Sequence, residues 1–440
     1  MSNDRFHAEY AWLPGHEEPL PDVLIEVVDG RFGEVTAGVE APPGVTRLPG
    51  VTLPGLANAH SHAFHRALRG HTHTGGGTFW TWRDRMYEVA ARLDPDTYLA
   101  LARATYAEMA LSGITCVGEF HYLHHEADGS PYADPNAMGT ALVEAAAEAG
   151  IRLTLLDTLY LTSTVDGQPL AGVQRRFGDR DLDAWSDRHD RLPTTPHLRI
   201  GAALHSVRAV PPGALSAFAY RNSGGPLHFH LSEQRAENDA CLATHGCTPV
   251  QLLADMGVLG SNATAVHATH LTGNGVALLG EAGTGACLCP TTERDLADGI
   301  GPARALVDAG SPLSLGSDSH AVIDLFEEAR AVELDERLRT ERRGHFTPAE
   351  LTHAATAAGH AALGWSDAGT IAAGFRADLV TVALDSVRTA AVPPAGVFFA
   401  ATAADVTDVL VDGRVVVRDG RHVRLDVAAE LGRSIGQVWR

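Results

Sequence analysis

Short apolar runs recur along the middle of the chain and are separated by stretches with helical patterns. Buried parallel strands read as continuous apolar runs, and their alternation with helices is typical of βαβ units. Eight such runs occur, at residues 51–57, 114–118, 151–156, 198–204, 227–231, 263–266, 285–288 and 312–315. The pattern predicts an α/β fold, a (β/α)8 barrel of the TIM type.

The segments before and after these runs have a different character. Residues 23–28 and 33–36 at the front, and 377–382 and 409–417 at the back, read as antiparallel strands, with Asp412-Gly413 as a hairpin turn. We expect the two ends to join into one small β-sandwich domain. The predicted organisation is residues 1–50 and 366–440 for the two parts of that domain and residues 51–365 for the barrel.

Composition argues against several classes of protein. Of the 440 residues, 45% are hydrophobic and 20% are charged, which is typical of a globular protein with a large core. The net charge of −20 repels phosphate backbones and anionic membrane surfaces, so we expect no nucleic-acid and no membrane partner. Five cysteines without a CxxC pair, and no apolar stretch suited to export or membrane insertion, favour a cytoplasmic location.

Candidate metal ligands and catalytic groups follow several of the predicted strands. His60 and His62 come at the end of the first run, where the alternation of side chains along a strand points both imidazoles to one face. Other polar side chains end or follow the fifth, sixth and eighth runs, namely His230, Glu233, His267 and Asp318. Barrel enzymes carry their catalytic groups at the carboxyl ends of the strands, so we expect these side chains to converge.

This ordered set resembles the amidohydrolase superfamily, in its mononuclear deaminase branch, over nearly the whole chain. The resemblance implies one divalent metal ion with the ligands His60, His62, His230 and Asp318. It assigns catalysis to Glu233, His267 and Asp318. Binuclear relatives carry a carboxylated lysine after the fourth strand, where this chain has Ala203-Leu204-His205.

The donor set bears on the metal and on the reaction. Three imidazoles and one carboxylate suit a borderline divalent ion, so we expect Zn²⁺, with Fe²⁺ as the open alternative. Such an ion lowers the pKa of a bound water from about 15.7 toward about 7, and the implied reaction is attack of metal-bound hydroxide on an amidine carbon. Asp318 or His267 can accept the proton of the water, and protonated Glu233 can pass protons to departing ammonia.

Several short segments resemble one family within this superfamily, the formimidoylglutamate deiminases of histidine degradation: His60-Ser61-His62-Ala63-Phe64, Phe79-Trp80-Thr81-Trp82-Arg83, Glu119-Phe120-His121-Tyr122, His205-Ser206-Val207-Arg208 and Gly316-Ser317-Asp318-Ser319-His320. The resemblance implies hydrolysis of N-formimino-L-glutamate to N-formyl-L-glutamate and ammonia, and a homodimer. It assigns the two carboxylates of this dianionic small molecule to Arg83, Tyr122, His205 and Arg208. A dianion that enters a protein of charge −20 requires guanidiniums able to make bidentate carboxylate contacts.

His65 departs from the family pattern, in which we expect glutamine at this position. Either the imidazole replaces the amide as a hydrogen-bond donor or His65 marks a shifted specificity, and His65 is included among the candidate substrate-binding residues. The segment 291–296 also differs from the pattern. We expect neither His65 nor this segment to touch the metal site.

Two other functions remain open at this point. A related deaminase or chlorohydrolase that acts on a purine or triazine ring shares the metal ligands, but a neutral ring does not require Arg83 and Arg208. A non-catalytic scaffold with the same barrel is expected to lose metal ligands, whereas every expected ligand is present in this chain.

Overall fold

The computed structural model describes residues 3–73, 77–222 and 224–440, so the first two residues of the predicted N-terminal segment lie outside it. The strands in the described ranges are β1 (Asn3–Ala11), β2 (Leu20–Val28), β3 (Arg31–Thr36), β4 (Thr46–Pro54), β5 (Leu56–Ser61), β6 (Ile114–His121), β7 (Arg152–Leu159), β8 (Leu198–Leu204), β9 (Leu227–Leu231), β10 (Ala263–His267), β11 (Gly285–Leu288), β12 (Leu313–Leu315), β13 (Leu379–Val382), β14 (Val406–Val411), β15 (Arg414–Arg418) and β16 (Arg421–His422).

Helices connect most of the barrel strands, and a 3₁₀ turn over Ala63–Leu68 follows β5. The α-helices are α1 (Phe79–Arg92), α2 (Pro95–Leu111), α3 (Ala137–Ala149), α4 (Leu182–His189), α5 (Pro212–Arg221), α6 (Arg235–His245), α7 (Pro249–Asp255), α8 (Gly273–Glu281), α9 (Pro290–Asp295), α10 (Ala303–Ala309), α11 (Leu325–Thr340), α12 (Pro348–His353), α13 (Gly359–Ala362), α14 (Val397–Ala400) and α15 (Val427–Val438).

Strands β5 to β12 form a parallel sheet in which each strand lies beside its neighbour in sequence. The first and last strands of this sheet, β5 and β12, meet and close the barrel. The amide of Asp318, just past β12, donates to the carbonyl of His60 in β5 at 3.0 Å. A parallel bridge joins Ser61 to Asp318 at the same place. The predicted (β/α)8 barrel is confirmed.

The terminal segments join in a second sheet, as predicted, with the strand order β16-β15-β14-β13-β4-β1-β2-β3. Strand β4 brings the two ends together, because it pairs in parallel with β1 and antiparallel with β13. The strands form one continuous hydrogen-bonded sheet, separate from the barrel sheet. Strand β1 was not predicted, because its sequence, NDRFHAEYA, contains no continuous apolar run.

The first predicted barrel run, 51–57, divides at Gly55. Residues 51–54 belong to β4 and pair with β13, whereas β5 begins at Leu56 and pairs with β6. A Cβ atom on Gly55 would lie 2.4 Å from Oγ1 of Thr115, so the chain can pass between the sheets here only with glycine. The predicted boundary after residue 50 therefore falls inside β4.

A buried ion pair links the barrel to the terminal sheet. Arg152, at the start of β7, donates from Nη1 to Asp378 Oδ1 at 2.9 Å, and a second guanidinium nitrogen contacts the other carboxylate oxygen. Both side chains are fully buried. Asp378 Oδ1 also accepts the amide of Asp412 at 2.9 Å, so the carboxylate fixes the β14–β15 hairpin against the barrel.

None of the helices in the described ranges combines the length and apolar character that a membrane span requires.

Candidate metal centre and active site

The side chains that the sequence predicts at strand ends do converge at the carboxyl end of the barrel. Two of them have left-handed backbone angles, with φ of 67° at His267 and 38° at Asp318. Such angles are uncommon for residues other than glycine and cluster at functional sites. Each angle re-aims a side chain as its strand ends, so that it faces the centre of the site.

Asp318 lies at the centre of the cluster. Its Oδ1 is 3.2 Å from His60 Nε2 and 3.4 Å from His62 Nε2, and His60 Nε2 is 3.2 Å from His230 Nε2. Ligand atoms around a tetrahedral zinc ion with bonds of about 2.0–2.1 Å lie about 3.3 Å apart. The spacing and the nitrogen and oxygen donors therefore fit a zinc-sized ion.

Backbone carbonyls orient two of these imidazoles. His62 Nδ1 donates to the carbonyl of Phe120 at 2.9 Å, and His230 Nδ1 donates to the carbonyl of His205 at 3.0 Å. Because Nδ1 carries the proton, the lone pair of Nε2 faces the cluster in both residues. Burial lowers the pKa of His62 to about 3 and that of His230 well below its usual value, so both rings are in the neutral form that binds metals.

Glu119, in β6, holds the backbone of the His-x-His segment. Its carboxylate accepts the amide of Ala63 and the hydroxyl of Ser61, each at 2.7 Å. Burial raises the pKa of Glu119 to about 7. The segment that carries His60 and His62 is thus fixed on its far side by a fully buried acid.

Glu233 and His267 face the same cluster. His267 Nε2 lies 3.8 Å from Glu233 Oε1 and 4.0 Å from Asp318 Oδ2. Burial raises the pKa of Glu233 to about 7. Burial alone would lower the pKa of His267, but the neighbouring carboxylates, Glu233 foremost, raise it well above its usual value. Glu233 can therefore hold or release a proton near neutral pH, whereas the carboxylates around His267 favour its protonated form.

Glu293, in α9, is a further carboxylate in this site that the sequence reasoning missed. Its Oε1 lies 3.4 Å from His267 Nδ1 and accepts the amide of Cys289 at 2.9 Å. The segment 291–296, which differs from the family pattern, therefore reaches the site through Glu293, whose contact is with His267 and not with a predicted metal ligand. A positional signal existed, since Glu293 follows β11 at the carboxyl end of the barrel.

His65 is also closer to the metal site than expected. Its ring centroid lies 4.6 Å from that of His62, and ligand atoms of His62, His65 and Asp318 all lie within 4.8 Å of one another. The expectation that His65 does not touch this site is wrong, because the 3₁₀ turn after β5 folds the chain back over His62. His65 Nε2 and the hydroxyl of Tyr122 form a hydrogen bond of 3.0 Å.

A cavity opens onto the cluster. Its lining includes all the candidate substrate-binding residues, His65, Arg83, Tyr122, His205 and Arg208. Other lining residues are aromatic and were not predicted, namely Phe79, Trp82, Tyr87, Tyr160 and Phe177. The cavity therefore combines positive charge with apolar walls, next to a group of histidines and carboxylates.

Arg208 is a buried guanidinium with a single described ion-pair partner. Its Nη1 donates to Glu237 Oε2 at 3.0 Å, and 12% of the Arg208 side chain and 5% of the Glu237 side chain are exposed. Burial opposes the charge of Arg208, but Glu237 keeps its pKa raised. The other guanidinium donors can serve a second anion in the cavity.

Arg83, on α1, also lines this cavity. Its guanidinium carbon is 4.5 Å from the ring centroid of Trp80 and 5.4 Å from that of Tyr87. Cation–π contacts of this kind hold a guanidinium in place without using its hydrogen-bond donors. Arg83 can therefore also bind an anion.

The match to known proteins covers most of the chain. The model of the amidohydrolase family matches residues 51–416, and the chain belongs to this family. Within it, the chain is 38% identical to formimidoylglutamate deiminase from Pseudomonas aeruginosa, over 94% of this chain and 95% of that protein.

Solved structures agree with this assignment. A crystal structure of an amidohydrolase from Brucella melitensis superposes with a TM-score of 0.93, at 33% identity, and covers 99% of this chain and 100% of that one. An adenosine deaminase from Xanthomonas campestris, solved with bound zinc, superposes with a TM-score of 0.85 at 25% identity, covering 98% of this chain and 97% of that one. The two structures share the whole architecture with this chain.

Proposed function

We propose that the protein is a metal-dependent hydrolase that converts N-formimino-L-glutamate and water to N-formyl-L-glutamate and ammonia. One observation carries the proposal: a single cavity holds a histidine–aspartate cluster at one end and two guanidiniums, Arg83 and Arg208, on its walls. The first suits hydrolysis of a C–N bond, and the second suits a substrate with two carboxylates. The relative from Pseudomonas aeruginosa supports the same reaction.

We propose one divalent ion, Zn²⁺, with His60, His62, His230 and Asp318 as its ligands. The donor distances and neutral imidazoles described above support this set. The end of β8 reads Ala203-Leu204-His205, with no lysine to carry a second ion. When bound, the ion supplies Lewis acidity, which activates water at neutral pH.

The acid–base steps fall to residues of the chain. Protonated Glu233 donates a hydrogen bond to the imine nitrogen, which makes the amidine carbon more electrophilic. Water adds to that carbon as Glu233 gives its proton to the imine nitrogen, and Asp318 takes up the proton that the water loses. That proton passes through His267 to the same nitrogen, the C–N bond breaks, and ammonia leaves. The proton of the new hydroxyl group returns to Glu233, and its oxygen becomes the formyl oxygen on the glutamate nitrogen.

Binding and orientation of the substrate fall to the cavity walls. Arg208 and Arg83 pair with the two carboxylates, and Tyr122, His205 and His65 add neutral hydrogen bonds. A dianion held at both carboxylates presents its formimino group to the cluster in one orientation, which lowers the entropic part of the barrier. A homodimer stays a prediction, and light scattering of the purified protein checks it.

Ammonia release from a panel of substrates tests the proposal. We expect turnover of N-formimino-L-glutamate, and rates at least about 1,000-fold lower for guanine, cytosine and adenosine, because neutral rings leave both guanidiniums unpaired. Glu233→Gln serves as the inactive control. Preferential turnover of a ring substrate would instead favour the ring deaminase, a reaction that the name of the Xanthomonas campestris protein suggests. No turnover and no bound metal would favour the scaffold.

A further inference from the structure

His267 lies between carboxylates on both sides of its ring. Nε2 faces Glu233 at 3.8 Å and Asp318 at 4.0 Å, whereas Nδ1 faces Glu293 Oε1 at 3.4 Å. The side chain is 1% exposed, so water cannot substitute for these partners. One nitrogen therefore points into the reaction site, and the other points away from it toward Glu293.

Glu293 is itself held by the backbone. Its Oε1 accepts the amide of Cys289 at 2.9 Å, at the point where β11 gives way to α9. The carbonyl of Glu293 accepts the amide of Asp298 at 2.9 Å, which fixes the chain on the other side of the residue. The carboxylate oxygen that meets His267 is thus held in place before any substrate binds.

Glu293 acts behind His267 rather than on the substrate. Among the described residues, the lining of the cavity includes His267 and Glu233 but not Glu293. Oε1 of Glu293 already accepts the amide of Cys289, so it acts as an acceptor and Nδ1 of His267 donates in this contact.

We propose that Glu293 is a positioning residue, which fixes the ring of His267 so that Nε2 is the nitrogen that exchanges a proton with the reacting groups. The inference rests on the proposed function, because it gives a role to Glu293 within that reaction. A carboxylate behind a catalytic or metal-bound imidazole sets both its orientation and its tautomer, and loss of such a partner typically costs about 10–100-fold in activity.

Two variants separate positioning from simple structural support. We expect Glu293→Ala to lower kcat about 10–100-fold with KM within threefold of wild type, because the substrate contacts stay in place. We expect Glu293→Gln to recover kcat to within about fivefold, because its amide oxygen can still accept from Nδ1 and from Cys289. Glu333→Gln is the matched control, a buried glutamate that accepts the amides of Gly344 and Phe346 and lies outside the cavity lining.

A measurement that needs no turnover accompanies the kinetics. In protein labelled with ¹⁵N-histidine, wild type should give a slowly exchanging Nδ1–H signal that disappears in His267→Gln. This signal should persist in Glu293→Gln and vanish in Glu293→Ala. A metal assay serves as the control, and the variants should carry the same metal content as wild type.

The outcomes are distinct. A kcat within twofold of wild type in Glu293→Ala, a Glu293→Gln variant as slow as Glu293→Ala, or an Nδ1–H signal that survives in Glu293→Ala would each overturn the positioning role. Absence of ammonia release by wild type would overturn the proposed function instead, and the histidine signal would still decide whether Glu293 orients His267.

Discussion

Replacement of Arg208 by methionine should affect substrate binding and folding stability through different partners. The guanidinium faces the cavity and also pairs with Glu237 at 3.0 Å in a nearly buried contact. Arg208→Met keeps much of the apolar stem and removes the charge. The variant therefore loses a substrate contact and leaves the Glu237 carboxylate without its cation.

The two effects have different sizes. A charge-assisted hydrogen bond contributes about 1.5–3 kcal/mol, so loss of one bidentate carboxylate contact should cost about 3 kcal/mol, or roughly 100-fold in KM. Removal of one partner of a buried ion pair costs about 3–5 kcal/mol of unfolding free energy. We expect the lower end, about 3 kcal/mol, because burial already raises the pKa of Glu237 and the carboxyl can take up a proton.

A double-mutant cycle separates these effects. Steady-state ammonia release gives KM and kcat, and urea unfolding gives the free energy, for Arg208→Met, Glu237→Gln and the double variant. The double variant should recover about 2 kcal/mol of stability relative to Arg208→Met, while its KM stays high. Arg103→Met is the matched control, because Arg103 pairs with Glu148 and Glu430 at the surface and should lose at most about 1 kcal/mol without change in KM.

Either of two results would contradict the role of Arg208 in substrate binding. A KM for Arg208→Met within threefold of wild type means that the guanidinium does not bind a substrate carboxylate. A KM restored by Glu237→Gln in the double variant means that the effect of Arg208 on binding passes through Glu237 rather than through direct contact.

Further predictions concern the acid, the metal and the fold. Glu233→Gln should keep the metal and lose at least about 100-fold in kcat, and retained activity contradicts the proton-transfer role. Burial raises the pKa of Glu233 to about 7, and the reaction requires its protonated form. The kcat/KM of wild type should therefore fall as pH rises from 7 to 9, and a flat profile over that range argues against Glu233 as the acid. His230→Ala should lose metal, measured by atomic absorption, and activity together, whereas full occupancy removes His230 from the ligand set. Asp378→Ala should lower stability by about 3 kcal/mol in urea unfolding, because Asp412 is then the one described carboxylate left to pair with buried Arg152, and an unchanged midpoint contradicts this.

The barrel could be predicted because its strands are buried on both faces. Such strands read as unbroken apolar runs, and the runs at 198–204 and 227–231 coincide with β8 and β9. The same rule places side chains at strand ends, which predicted the convergence of the histidines with Asp318. The search for apolar runs did not predict β1, because the sequence of this strand is polar. In the structure β1 pairs with both β2 and β4.

The partners behind the site could not be read from local spacing. Glu293 lies 26 residues from His267, and Glu237 lies 29 residues from Arg208, in elements that only the closed barrel brings together. The carbonyl of Phe120 that orients His62 is a backbone group, so the type of residue at position 120 does not indicate this contact. For these contacts the geometry of the barrel, rather than the motif, decides which atoms meet.

The most direct test of hydrolysis at the terminal C–N bond uses N-formimino-L-glutamate labelled with ¹³C in the formimino group. We expect ¹³C NMR to detect the label only in N-formyl-L-glutamate, together with one equivalent of ammonia. The reason is that Glu233 protonates the terminal nitrogen while Arg83 and Arg208 hold the glutamate part. Label in formamide, with free glutamate, would show cleavage of the other C–N bond and contradict the account, as would no turnover by zinc-loaded protein.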